Sequence, residues 1–173
     1  MTGPVTREPL IPAAVLLPLV GDAGELDVML TRRTDHLRDH PGQISLPGGR
    51  VESHDAGPQA TALRETEEEI GLAPEFVEVV GYLEPQPIVT GFAVTPVVGL
   101  VRSGFTLQLD DFEVAEVFQV PLEFFLDARN LQIGVRRVSG AEIPLVEYEY
   151  RHYRIWGATA QIIHMFYKTI TKT

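Results

Sequence analysis

The chain has 173 residues, 45% hydrophobic and 22% charged, and a formal net charge of −10 from 24 acidic against 14 basic residues. That length fits one domain with a substantial core, and the acidic excess offers no basic surplus to displace counterions, so a nucleic-acid partner is not expected. With no cysteine, disulfides and thiolate metal sites are excluded, and no apolar run approaches the length of a membrane span.

The first twelve residues, MTGPVTREPLIP, hold three prolines and read as a lead-in, with residues 13–173 as the single domain. They lack a basic region followed by a long apolar stretch, so no secretory signal is expected and the cytoplasm is the expected compartment. Residues 13–20 (AAVLLPLV) form a short apolar run, a buried strand with Pro18 near its end. Residues 21–24 are a turn, and residues 26–31 (LDVMLT) a second strand pairing with the first. The next stretch, residues 32–42, is polar, without apolar periodicity, and carries Arg32, Arg33, Arg38, His36 and His40. A solvated loop is the bland reading. It runs, however, directly into a short strand ending in Pro47-Gly48-Gly49 ahead of an acidic segment, and arginine forks suit phosphate oxygens.

That acidic segment carries Glu65, Glu67, Glu68 and Glu69 within five positions. Pro58 suits a first helical turn and Gly71 a left-handed exit, which predicts a helix over residues 58–70. At 100° per residue, Glu65, Glu68 and Glu69 share a face, Glu67 points away, and Gln59, Leu63, Thr66 and Ile70 form the stripe expected to face a core. Like charges four apart cost a few tenths of a kcal/mol per pair. A bound hard cation such as Mg²⁺, which takes oxygen ligands and keeps room for substrate phosphates, would offset that cost.

Beyond Gly71, residues 76–83 and 92–101 read as strands, with Pro96 marking an irregularity or an edge. Residues 105–109 read as a short strand. Pro121 starts a short helix to about Ala128, residues 131–138 and 143–150 form a hairpin around Ser139-Gly140, and residues 157–170 a final helix. Tyr148, Tyr150, His152, Tyr153 and Trp156 make an aromatic group that reads as core or rim, or as a platform for an adenine ring. Strands around one acidic helix, closed by a C-terminal helix, point to an α/β sandwich around a mixed sheet.

Two stretches carry a resemblance. Residues 64–72, RETEEEIGL, resemble the second half of the Nudix hydrolase signature, R-E-U-x-E-E-x-G-U with U a bulky apolar residue; Thr66 is a mild departure. In the first half, G-x5-E-x7-R, the acidic position counted from Gly49 falls on Asp55, and eight residues instead of seven precede Arg64. A coenzyme A-type branch of the family commonly shows that pattern. Residues 29–49 also resemble that branch's L-L-T-x-R-S-x3-R-x3-G-x3-F-P-G-G, here with Arg33, Arg38, Gly42 and Pro47-Gly48-Gly49 in register and Met29, Thr34 and Leu46 as conservative changes. Residues 89–99 and 156–160 look similar to it too.

The resemblance implies a Nudix-type α/β/α sandwich and metal-dependent hydrolysis, with Mg²⁺ or Mn²⁺, of the diphosphate in coenzyme A or a derivative. Glu65, Glu68 and Glu69 would hold metal with the Gly49 backbone, and Glu65 would be the general base. Arg64 faces away from these glutamates and would pair with Glu52 or Asp55 to fix the loop. Arg33, Arg38, Gly48 and Gly49 are the substrate candidates. Glu113 matches the family's Glu-Val element as a further metal ligand, whereas Glu116 does not. Alternatives are another nucleoside diphosphate derivative, such as NADH, ADP-ribose or a damaged nucleotide, and a non-catalytic sensing or protein-binding module. Homodimer formation is left open.

Overall fold

The computed structural model describes residues 8–22 and 24–172; residues 1–7 of the expected lead-in lie outside them. In chain order the elements are β1 (Ile11–Asp22), β2 (Glu25–Arg33), β3 (Ile44–Ser45), β4 (Gly48–Arg50), α1 (Pro58–Ile70), β5 (Val77–Tyr82), β6 (Gln86–Pro87), β7 (Phe92–Val101), β8 (Val114–Pro121), α2 (Leu122–Leu126), β9 (Gln132–Val138), β10 (Ala141–Tyr150), β11 (Tyr153–Trp156) and α3 (Gly157–Thr171). The first strand thus starts at Ile11, two residues before the apolar run, because Ile11 and Pro12 already lie opposite Phe92 and Ala93.

β1 is the axis of a mixed sheet. It runs parallel to β7 from Ile11 opposite Phe92 to Val20 opposite Val101. Its other edge is divided between two partners. β2 takes Leu19–Asp22, and β4 takes Ala13–Val15, both antiparallel. β2 is held on one edge by β8 and on the other first by β1, then by β3. The split between β1 and β2 is therefore filled by the segment that delivers Gly48 and Gly49. The fit there is tight: a Cβ on Gly48 would meet the Ala14 carbonyl oxygen at 2.3 Å.

Alternation along β1 sorts two layers. Ala14 and Leu16 pack with Val97 and with Ala62 of α1. Leu17 and Leu19 face the other way, into a core with Ile162, Ile163 and Phe166 of α3. Helices thus cover both faces, giving the α/β/α sandwich.

Three expectations need correction. The buried face of α1 is Thr61, Ala62, Thr66 and Ile70; Leu63 is half-buried, and Gln59 is exposed and accepts a 2.9 Å hydrogen bond from the Tyr82 hydroxyl. The helix is rolled by about one residue because the small Ala62 lets it approach Ala14 and Leu16 closely. Pro96 lies on an inner strand, between β1 and β5, not at an edge. It is tolerated because β5 has ended at Tyr82, and only its carbonyl is needed, accepting the Leu83 N–H at 2.9 Å. Residues 105–109 form no strand. Instead the Gln108 N–H donates to the Ile70 carbonyl (2.9 Å) and the Asp110 N–H to that of Glu69 (2.8 Å). These helix-end carbonyls have no intrahelical donor. Gly71 permits this contact: its φ is 73°, and a Cβ there would lie 2.6 Å from the Gln108 nitrogen.

Candidate active site

The site is built at the junction of β4, α1 and the segment leading into β8. Its frame is a clamp ahead of α1. Arg64 holds Asp55 through two parallel bonds, Nε to Oδ1 at 3.0 Å and Nη2 to Oδ2 at 2.9 Å. Asp55 also accepts from the Thr61 hydroxyl (2.8 Å) and the Glu52 N–H (2.9 Å), and its side chain is only 3% exposed. The Arg64 guanidinium and these donors hold the Asp55 carboxyl far below the usual carboxylate range. Arg64 Nη2 also donates to the Arg50 carbonyl at 3.2 Å. The acid that breaks the family spacing is thus the acid that ties residues 50–57 to the helix. Glu52, the other expected partner, sits at 3.7 Å.

Arg64 does not face away from the glutamates as its helix position implied. Its Nη1 lies 3.0 Å from Glu65 Oε1 and 3.4 Å from Glu68 Oε1. Residues 64 and 68 are one turn apart, and a long guanidinium stem reaches across neighbouring positions. Thr61 was missed by sequence reasoning; a threonine in the first turn of a helix carried no signal until Asp55 was placed beside it.

Glu65 lies against β4: a Cβ on Gly49 would sit 2.6 Å from Glu65 Cδ. Only glycine leaves room there for the carboxylate. Burial raises the Glu65 pKa, opposed by the Arg64 hydrogen bond. Glu69 is more strongly affected. Burial, followed by repulsion from Glu65 and Glu113, pushes it up to about 8, while the Gly48 N–H and the charge of Arg33 pull it down. Glu65 and Gly49 are thus in contact, and Glu65, Glu113 and Arg33 lie near enough to Glu69 to act on its charge. Glu68 joins through Arg64 but is 58% exposed.

Arg33 ends β2. Its Nη2 donates to the Asp39 carbonyl at 3.2 Å, while its Nε is buried without a partner. Arg38 is exposed on the loop between β2 and β3 and joins none of these contacts. Glu113 is placed by its backbone, whose carbonyl accepts the Thr34 N–H at 3.0 Å. Glu116 turns elsewhere, 3.3 Å from Arg32 Nε and hydrogen-bonded by the Tyr153 hydroxyl. The aromatic group does not form one platform. Tyr148 is buried against Phe125, Tyr150 packs edge-on to Phe124, and Tyr153 already stacks on Phe118 at 3.6 Å. A cleft of about 590 Å³ lined by Gly21, Asp22, Phe76 and Arg102 lies apart from this chemistry, at the end of β1 away from Gly48 and Gly49.

Among the described residues, no three acid or imidazole side chains are gathered closely enough to hold a metal ion by themselves. The donor set nevertheless suits a hard divalent cation: it is all oxygen, and Glu69 is half-buried near two further carboxylates whose repulsion a cation would relieve.

The NUDIX domain family model matches residues 10–137. The chain is 44% identical over 152 residues to the uncharacterized Nudix hydrolase NudL of Enterobacter sp. (strain 638), covering 87% of this chain and 78% of that protein. It is 43% identical over 158 residues to NudL of Salmonella paratyphi B, with the same coverage. Among solved structures, the NUDIX domain of Shewanella oneidensis NrtR, complexed with ADP ribose, matches with TM-score 0.57 at 17% identity, covering 98% of this chain and 94% of that one. RenU, a Nudix hydrolase from M. smegmatis, matches with TM-score 0.57 at 24% identity over 68% of this chain and 74% of that one. These likenesses share the sandwich, and with the family match and the NudL identity they lead to one conclusion: the chain belongs to the Nudix hydrolase family.

Proposed function

We propose that this hydrolase cleaves the diphosphate of coenzyme A or one of its derivatives, releasing 3′,5′-ADP and 4′-phosphopantetheine or its acyl or oxidised form. The observation that carries the reading is Arg33 at the end of β2, whose buried Nε has no partner among the described residues. That nitrogen is a donor for a phosphate oxygen. In sequence, this arginine belongs to the stretch over residues 29–49 that resembles the coenzyme A-type branch.

Glu65, Glu68 and Glu69, with the Gly49 backbone and Glu113, would hold Mg²⁺ or Mn²⁺. These residues would thereby place beside the diphosphate a divalent charge that would supply neutralisation and lower the pKa of water. Glu65 takes the proton from the attacking water as a bond forms from that water to phosphorus and the bridging P–O bond breaks. Arg64 positions Glu65 and fixes the loop through Asp55. Arg33 and Arg38 contact substrate phosphate, and residues 13–173 act as one domain.

Mass spectrometry of products from a panel of free, acyl and oxidised coenzyme A, NADH and ADP-ribose tests this, run with Mg²⁺ and with Mn²⁺ in ¹⁸O water. The expected products are 3′,5′-ADP and 4′-phosphopantetheine species, with ¹⁸O on one of them. Much faster cleavage of NADH or ADP-ribose would overturn the substrate class and leave the hydrolase assignment standing.

A further inference from the structure

The second sheet, in the order β11-β10-β9, is lopsided. β11 pairs only with Glu147–Tyr150 of β10. Beyond Glu147, β9 and β10 continue as a two-stranded ribbon, from Ile133 opposite Val146 to Val138 opposite Ala141. Such a ribbon is marginal alone in water and gains stability from a third strand. Its side chains do not suit solvent on both faces. Ile133 is 67% and Val135 65% exposed, and cross-strand neighbours share a face, so the exposed Pro144 of β10 extends the same apolar surface, which joins the core at Val146.

The two outer edges of the ribbon differ. β10 carries Pro144, whose nitrogen cannot donate, and Glu142, which together blunt its edge. β9 has no proline, and among the described residues its outer edge pairs with no strand. The third residue of β9 is Gly134, with nothing within 4 Å of an added Cβ.

We propose that β9 pairs antiparallel with β9 of a second copy of this chain, about a two-fold axis at Gly134. The sequence is self-complementary in that register. Ile133 falls opposite Val135 of the second copy and Gln132 opposite its Arg136, so no arginine meets an arginine. Electrostatics favour this place on the surface. Residues 127–142 hold Asp127 and Glu142 against Arg129, Arg136 and Arg137, a net +1 in a chain of net −10. Two acidic molecules would therefore meet over a stretch that does not share the acidic excess of the chain. The product is a four-stranded ribbon with one continuous apolar face, of the small size typical of weak interfaces.

The natural absence of cysteine gives a direct test. Oxidation of a Gly134→Cys variant should give a disulfide-linked dimer, because directly paired antiparallel residues have Cα atoms about 4.5–5.5 Å apart, within disulfide reach. A Ser139→Cys variant should not cross-link, its two copies lying roughly 33 Å apart along the paired strands. Sedimentation of the unmodified protein at concentrations up to about 200 µM should show self-association to twice 19.2 kDa. Val135→Lys, at an exposed position, should shift it to monomer with Tm and hydrolysis unchanged. A strictly monomeric protein that Gly134→Cys fails to cross-link overturns the proposal. So does a dimer that survives Val135→Lys, or one that cross-links equally through residue 139.

Discussion

Two acidic groups on either side of α1 meet opposite fates. Asp55, ahead of the helix, has a bidentate arginine, a hydroxyl and a backbone N–H, and is held strongly ionised. Glu69, near the helix end, is half-buried near two other carboxylates with one backbone donor and a more distant arginine, and is pushed up to about 8. Both are withdrawn from water, so burial alone does not decide ionisation; the partner does. The first region is complete within the chain. The second leaves its like charges uncompensated within the chain, which is why a cation is proposed there, and that contrast separates the two regions.

The largest expected effect breaks the second region while sparing the first. Glu65→Gln keeps the size of the side chain against Gly49 and a hydrogen-bonding oxygen for Arg64, but removes the proposed base. Turnover should fall roughly 10²–10⁴-fold, with Tm little changed. Steady-state kinetics beside a thermal melt decides it, and unchanged turnover would remove Glu65 from catalysis. Arg33→Ala comes next. Losing a phosphate fork should raise KM about tenfold or more, with a smaller change in kcat, and Arg33→Lys should recover only part of it. An unchanged KM would detach Arg33 from the substrate.

Breaking the first region has the reverse signature. Asp55→Ala strands the Arg64 guanidinium and the Thr61 hydroxyl, so Tm should fall by roughly 5–10 °C. The sign of the pH dependence follows from the depressed pKa. Stability from Asp55 is present above the unfolded value of about 3.9 and is lost as pH falls below it toward the folded one. The difference in Tm between the wild type and the alanine variant should therefore shrink in acid, and a constant gap from pH 3 to 7 would show that Asp55 is not the ionised hub.

This contrast was only partly written in the sequence. The bounds of α1 were legible because Pro58 and Gly71 constrain the backbone directly. The shared face of Glu65, Glu68 and Glu69 followed from helical geometry. The roll of the helix did not, since it depends on Ala62 meeting Ala14 across sequence-distant elements. Nor did the reach of Arg64 into Glu65 and Glu68, because a flexible stem is not bound by the direction of its Cα–Cβ bond. Residues 105–109 looked like a strand by composition, and became a cap because the end of α1 needed donors.

The smallest effect is the most diagnostic of the contrast. In metal-free protein, the Glu69 pKa lies near 8, above the unfolded value of about 4.3. Between those values the folded state binds more protons than the unfolded one, so stability from this group is present below pH 4.3 and is lost as pH rises through 8. Wild-type Tm should therefore decline by a few degrees from pH 5 to 8 in the presence of a chelator, and Glu69→Gln should flatten much of that slope. Glu65, also shifted upward, supplies a remainder of the same sign. Cation and proton compete for the same oxygens. Mg²⁺ or Mn²⁺ should thus raise wild-type Tm more at pH 8 than at pH 5, and do so less in the Gln variant. A wild-type melt independent of pH and indifferent to both metals would mean that the half-buried carboxylates are not held in mutual repulsion, and the distinction from Asp55 would collapse.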